Sequence, residues 1–208
     1  MRPVTRRLAL SLAAATALLA ACGQGGGEAK VASDDMVMGK ADAPVTVIEY
    51  ASVTCSHCAN FNATVFPAFK AKYVDTGRVH YVFREFLTSP IELASAAFLM
   101  ARCAGKDKYF NVVDAVFRAQ PVMYQTGDYR GELLRIAKSS GMSEAEFTQC
   151  IRDDDALKAL NDRVEKAVKE DKISGTPTFI VNGKKVGDGE MSMEQLDKAI
   201  AEAEAAAK

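Results

Sequence analysis

The residues best placed to do chemistry are Cys55 and Cys58, two positions apart in Cys55-Ser56-His57-Cys58. That spacing lets a pair close a disulfide yet open again to a mixed disulfide. A thiolate is both the nucleophile and the good leaving group of such exchange, so whatever favours the thiolate sets the reactivity. Ahead of the pair, Val45-Thr46-Val47-Ile48-Glu49-Tyr50 follows Pro44 and is rich in β-branched residues, the mark of a buried strand. Behind it, Ala59 to about Tyr73 reads as helix, with Pro67 inside predicting a kink. Cys55 then sits near a helix N-terminus, where unpaired N–H groups and the helix dipole favour negative charge. His57, when protonated, adds positive charge beside it. Glu49 shares a strand face with Val45 and Val47 by the period-two rule, which points the acid into a core; the alternative is a strand-edge glutamate reaching solvent.

A C-x-x-C pair also suits zinc or a purely structural disulfide. Zinc wants two further ligands at matching spacing. The chain has two histidines, His57 and His80, and Cys103 and Cys150 stand alone rather than in a second knuckle. The surrounding elements favour redox chemistry, and no metal is expected. Thr76-Gly77 stops the first helix and Val79 to Phe83 make a second strand, giving a βαβ unit with parallel strands.

From about Leu87 to Lys172 the pattern changes to helix after helix. Ser89-Pro90 predicts a cap followed by a proline at the first helical position. Gly141 ends another helix, Ser143 with Glu146 matches a capping box, and Asp153 to Glu170 forms a long charged helix. Thr178-Phe179-Ile180-Val181 is then a strand, Asn182-Gly183 a hairpin turn, and Lys184 to Val186 its partner. Ser192 with Gln195 caps a last amphipathic helix. The layout is βαβ, a helical insertion of roughly 85 residues, then ββα. Met36 and Met38 fall on an edge strand as packing residues.

The first 22 residues read as an address. Arg2, Arg6 and Arg7 precede a 14-residue apolar run, Leu8 to Ala21. At 1.5 Å per residue this spans about 21 Å, too short for a hydrocarbon core of ~30 Å, and it fits a secretory signal. Gly23-Gln24-Gly25-Gly26-Gly27 follows as a flexible tether. A net charge of -1 supplies no basic field, so no nucleic-acid partner is expected. No Gly-rich phosphate loop opens a strand–helix unit, and no cofactor is implied.

Taken jointly, Ala43-Pro44-Val45-Thr46, Glu49-Tyr50, the C-x-H-C centre and Gly175-Thr176-Pro177-Thr178-Phe179 resemble the DsbA-like branch of the thioredoxin superfamily. The ending Leu19-Ala20-Ala21-Cys22 likewise resembles the bacterial lipobox. These resemblances imply an α/β thioredoxin fold with an inserted all-helical subdomain. Residues 1–21 are then a signal peptide and 22–32 a tether lipidated at Cys22, unless an ordinary signal is cut nearby. Residues 33–208 form the domain, with a core of about 33–86 and 173–208 and the insertion at about 87–172.

The resemblance also assigns roles. Glu49 exchanges protons with Cys58. Pro177 is a cis-proline opposite the redox pair rather than an ordinary trans turn proline, and Thr176 offers backbone hydrogen bonds to an extended substrate. Cys103 and Cys150 form a second bridge, or else remain two buried free thiols. The implied activity is thiol–disulfide exchange with unfolded or reduced exported proteins, reset by a membrane redox partner (DsbB-like or DsbD-like). The implied setting is the bacterial cell envelope, facing the periplasm on a lipid anchor. Ser56 stands where the best-known oxidases have proline, so the family leaves three readings: oxidase, reductase or isomerase, and a chaperone or copper-binding module. Stabilising the Cys55 thiolate stabilises the reduced form, which favours the oxidase.

Overall fold

Which strands pair with which decides where the two cysteines end up. In the computed structural model, which describes residues 31–206, five strands form one mixed sheet in the order β1-β3-β2-β4-β5. The central strand β2 (Val45–Ala51) runs parallel to β3 (Val79–Glu85), with Val47 opposite Tyr81 and Glu49 opposite Phe83. Antiparallel β4 (Thr178–Val181) flanks its other side, followed by β5 (Lys184–Asp188) across the hairpin. Asn182 and Gly183 both take positive φ, 43° and 79°, as a two-residue hairpin of this hand requires.

The edge strand β1 (Met36–Met38) runs antiparallel to β3, with Met36 opposite Phe83. Residues 31–35 therefore lie at the C-terminal end of β2 and β3. Arg84 holds Asp35 there at 3.0 Å, and Arg102 donates to the Asp34 carbonyl at 3.1 Å.

After β2 come α1 (Ser56–Thr64), a short α2 (Phe66–Phe69) and a π-helical turn, Lys70–Val74. The helix expected through Tyr73 is thus interrupted rather than merely kinked. Pro67 has no N–H for the ladder and its ring crowds the preceding turn, so α1 stops at Val65 and the chain restarts with proline in the first turn of α2. The helix after β3 also begins differently from expectation. Ser89-Pro90 is a cis peptide, and Pro90 is itself the cap, extended at ψ 122°, with no side-chain cap from Ser89. Its carbonyl accepts the Ala94 N–H, and α3 (Ile91–Cys103) starts one residue later than the sequence suggests.

Four more helices complete the insertion: α4 (Lys106–Thr126), α5 (Tyr129–Ser139), α6 (Glu144–Cys150) and α7 (Asp154–Lys169). The capping box at Ser143 and Glu146 forms in full, Asp153 caps α7, and Gly141 takes φ 89° past the end of α5. The last helix, α8 (Met193–Ala206), opens with reciprocal bonds between Ser192 and Gln195.

Alternation along the strands splits the core in two. Val45, Val47, Tyr81, Phe83 and Phe179 face a large cluster with Cys58, Phe61 and much of the insertion. Ile48, Tyr50, Val82 and Ile180 face a smaller one closed by Ala167 of α7 and Ile173.

Candidate active site

Cys55 is the N-cap of α1. Its backbone is extended (φ -83°, ψ 121°), and its sulfur accepts the Cys58 N–H at 3.3 Å, the place a serine or aspartate oxygen takes in an ordinary cap. Both cysteines are reduced here. Cys55 is half-buried, whereas Cys58 is completely enclosed. The two thiols accordingly diverge. A hydrogen bond from the Cys58 thiol, helped by the Thr176 hydroxyl and the N–H groups of Cys58 and His57, brings Cys55 down to about 6 against the cost of burial. Cys58 is driven far up, by burial first and then by Cys55 and the nearby Glu49. At neutral pH the outer sulfur is an ionised nucleophile and the inner one holds its proton.

The loop before β4 faces this pair. The Thr176–Pro177 bond is cis, and the Thr176 carbonyl oxygen lies 3.4 Å from the Cys55 sulfur. The Pro177 carbonyl accepts the Gly189 N–H at 2.7 Å, and the Thr178 hydroxyl donates to the Gly175 carbonyl at 2.8 Å. The loop is therefore tied down from both sides, leaving Thr176 turned to the sulfur.

Glu49 occupies the core face that strand alternation gives it, 3% exposed. Tyr81, two residues before its β3 neighbour Phe83, donates its hydroxyl to Glu49 Oε2 at 2.6 Å. Burial raises the carboxyl to about 8, the Tyr81 bond pulling the other way.

His57 is brought to the site's rim rather than onto the sulfur. Its side chain is 72% exposed and its Nδ1 lies 3.1 Å from Glu190 Oε2, while Glu190 also accepts from the Asn60 amide. Its contribution to Cys55 is its backbone N–H.

Several residues that sequence reasoning passes over hold the redox loop. Gln120, buried on α4, donates to the Val53 and Cys55 carbonyls at 2.6 and 3.2 Å. Tyr124 donates to the Thr54 carbonyl at 2.8 Å, and Thr54 meets Thr88 through their hydroxyls at 2.8 Å. The insertion thus grips the loop through three residues, Thr88, Gln120 and Tyr124, 34 to 70 positions away.

Cys103 and Cys150 form a disulfide, joining the ends of α3 and α6 across 47 positions. That takes both out of any zinc set with Cys55 and Cys58. Cys22, the signal and most of the tether lie outside the described residues.

Fold and site together define a protein of the thioredoxin class, its nucleophilic cysteine capping a helix opposite a cis-proline. A family model described as thioredoxin matches residues 31–202. A Rickettsia typhi protein provisionally named protein-disulfide oxidoreductase is 34% identical over 172 residues, covering 82% of this chain; the chain spans 62% of that relative's length. Disulfide bond formation protein D of Bacillus subtilis is 29% identical over 150 residues, 71% of this chain and 68% of the relative. The crystal structure of Wolbachia pipientis alpha-DsbA1 superposes with a TM-score of 0.79 at 29% identity, covering 88% of this chain and 96% of that one. The chain belongs to the thioredoxin family and is DsbA-like in structure.

Proposed function

We propose that the protein is an exported thiol–disulfide oxidoreductase that donates the Cys55–Cys58 disulfide to folding cell-envelope proteins. The observation that carries this reading is the asymmetry of the pair: Cys55 ionised at the helix cap, Cys58 protonated in the core. A substrate thiolate attacks the Cys55 sulfur, the enzyme's S–S bond breaks, and Cys58 leaves, taking the proton of Glu49. A second substrate thiolate then attacks the substrate sulfur of the mixed disulfide. Cys55 departs as its thiolate, the substrate carries away a disulfide, and two electrons stay on the enzyme. Because the ionised Cys55 exists only in the reduced enzyme, its stabilisation pushes the disulfide outward. A DsbB-like membrane partner then reoxidises the pair. Thr176 presents its carbonyl beside the sulfur, where an extended substrate backbone adds as a strand.

Cys55→Ser is expected to abolish oxidation of a reduced, unfolded substrate, and Cys58→Ser to trap mixed disulfides through Cys55. Equilibration against glutathione should give a potential well above thioredoxin's, about -270 mV. A thioredoxin-like potential would turn the assignment to a reductase or isomerase, a direction that Ser56 in place of proline favours. Full activity in both variants would sink the redox centre itself.

The setting we propose is the periplasmic side of a bacterial envelope, with residues 1–21 removed and Cys22 lipidated. The lipobox-like ending at Cys22 supports it. Among the described residues no helix is long and apolar enough to cross a membrane. Cys22→Ala should move the protein from membranes to the soluble fraction. An unaltered protein that fractionates as soluble and carries no acyl mass would refute the anchor.

A further inference from the structure

Glu49 must lose and regain a proton in every cycle of the reaction proposed above, yet it is sealed from solvent. Its hydrogen-bond partner is Tyr81, itself 2% exposed. The Tyr81 ring lies against Phe66 at 5.0 Å, Phe69 at 5.9 Å and Phe110 at 6.2 Å, a wall of side chains that can neither give nor take a proton. Beyond that wall a cleft of about 220 Å³ opens to the surface, and Tyr81 is part of its lining. Its mouth is polar: Asn62 donates to Asp114 at 2.8 Å, Arg118 donates to the other Asp114 oxygen at 2.8 Å, and Lys70 stands at the rim. Among the described residues that line this cleft, Tyr81 is the one hydrogen-bonded to Glu49.

We propose that Tyr81 is the positioning residue for Glu49 and its proton route. Its hydroxyl passes its own proton to the Glu49 carboxylate while taking one from water in the cleft, and runs in reverse when Glu49 is to be emptied. The step moves one proton and no electrons. It rests on the assigned role of Glu49 in protonating Cys58 as that sulfur leaves.

The surroundings suit this task. The groups that face Glu49 are Cys55 and Cys58 from α1 and Tyr81 from β3, with Tyr109 of α4 acting on Tyr81. None of them is a fixed cation, so nothing pins the carboxyl in its charged form. A hydroxyl bond lowers the proton affinity of Glu49 only in part, leaving it poised near the working pH, where a general acid is most effective.

The test is the pH dependence of the second-order rate at which the oxidised protein takes up a dithiol peptide, from pH 6 to 10. It is run on the unaltered protein, Tyr81→Phe, Glu49→Gln and the double variant. Phenylalanine keeps the ring among Phe66, Phe69 and Phe110, so the fold is retained. Tyr81→Phe should slow uptake about tenfold at neutral pH and move the inflection up by about one pH unit, a tenfold change in the Glu49 ionisation constant. Glu49→Gln should remove the inflection, and adding Tyr81→Phe to it should change nothing more.

Infrared spectroscopy reads the same contact without turnover. The protonated carboxyl stretch lost in Glu49→Gln should shift to higher frequency in Tyr81→Phe. A Tyr81→Phe profile that superimposes on the parent, or an equal shift in the Glu49→Gln background, would overturn the route. If Tyr81→Phe and Glu49→Gln are both silent while Cys55→Ser is dead, the route fails and the assigned reaction stands. If Cys55→Ser is also active, both fail.

Discussion

Glu49 and Glu85 sit on adjacent strands, each 3% exposed, but are handled in opposite ways. Glu85, the last residue of β3, accepts from Arg102 at 2.6 Å, from both arms of Arg163 at 2.8 and 3.1 Å, and from Tyr109 at 3.0 Å. Two guanidinium groups and a hydroxyl surround it, and through it α3, α4 and α7 are stitched to the end of the sheet. Glu49 receives a single hydroxyl and no cation, so burial pushes its carboxyl up to about 8. A buried acid meant to hold structure is surrounded by fixed positive charge. A buried acid meant to move a proton is left with a neutral donor.

The largest effect should come from Glu85. Glu85→Ala leaves the partly buried Arg102 without its carboxylate and Arg163 with only the more distant Asp34 at 3.7 Å, and breaking a buried ion pair typically costs about 3–5 kcal/mol. Urea unfolding of the two proteins measures it, and a loss below about 1 kcal/mol would mean that water replaces the carboxylate, erasing the contrast with Glu49.

Glu49→Gln should have the opposite sign. A carboxyl whose folded value lies above its unfolded value, near 4.3, holds its proton longer in the folded state. Stability is therefore lost as pH rises from about 4.3 to about 8. The amide escapes that loss, so the variant should be more stable than its parent by on the order of 3 kcal/mol at pH 7, with the gain vanishing towards pH 4. Parallel stability curves across that range would show that Glu49 is not the strained acid of the pair.

Much of this contrast was legible in the chain and part of it was not. Strand alternation buried Glu49 correctly, because a period of two depends on nothing beyond the strand itself. The same locality explains the success of the caps at Ser143 and Ser192, whose partners lie three positions away. Tyr81, Gln120 and Glu190 reach the site across 32, 65 and 133 positions, and nothing near them in sequence marks the contact. Pro67 and Pro90 misled for a different reason. Proline limits the backbone locally, but whether it breaks a helix, kinks it or caps it depends on the packing around the next turn. His57 shows the limit of reading charge from proximity: two positions from Cys55 in the motif, its ring is drawn outward by Glu190.

The register of β1 has a mechanical meaning. With Met36 opposite Phe83, the chain reaches the sheet at the end where β2 gives way to the redox loop. Only two strand spacings, about 10 Å, separate β1 from β2. The lipid anchor proposed at Cys22 would moor the molecule by its working end, not its stern. Tension along it would load the Arg84–Asp35 pair and the β1–β3 ladder before reaching the cysteines. Drifting on such a line, the domain would keep Cys55 on the side from which the line is paid out, near whatever lies at its root.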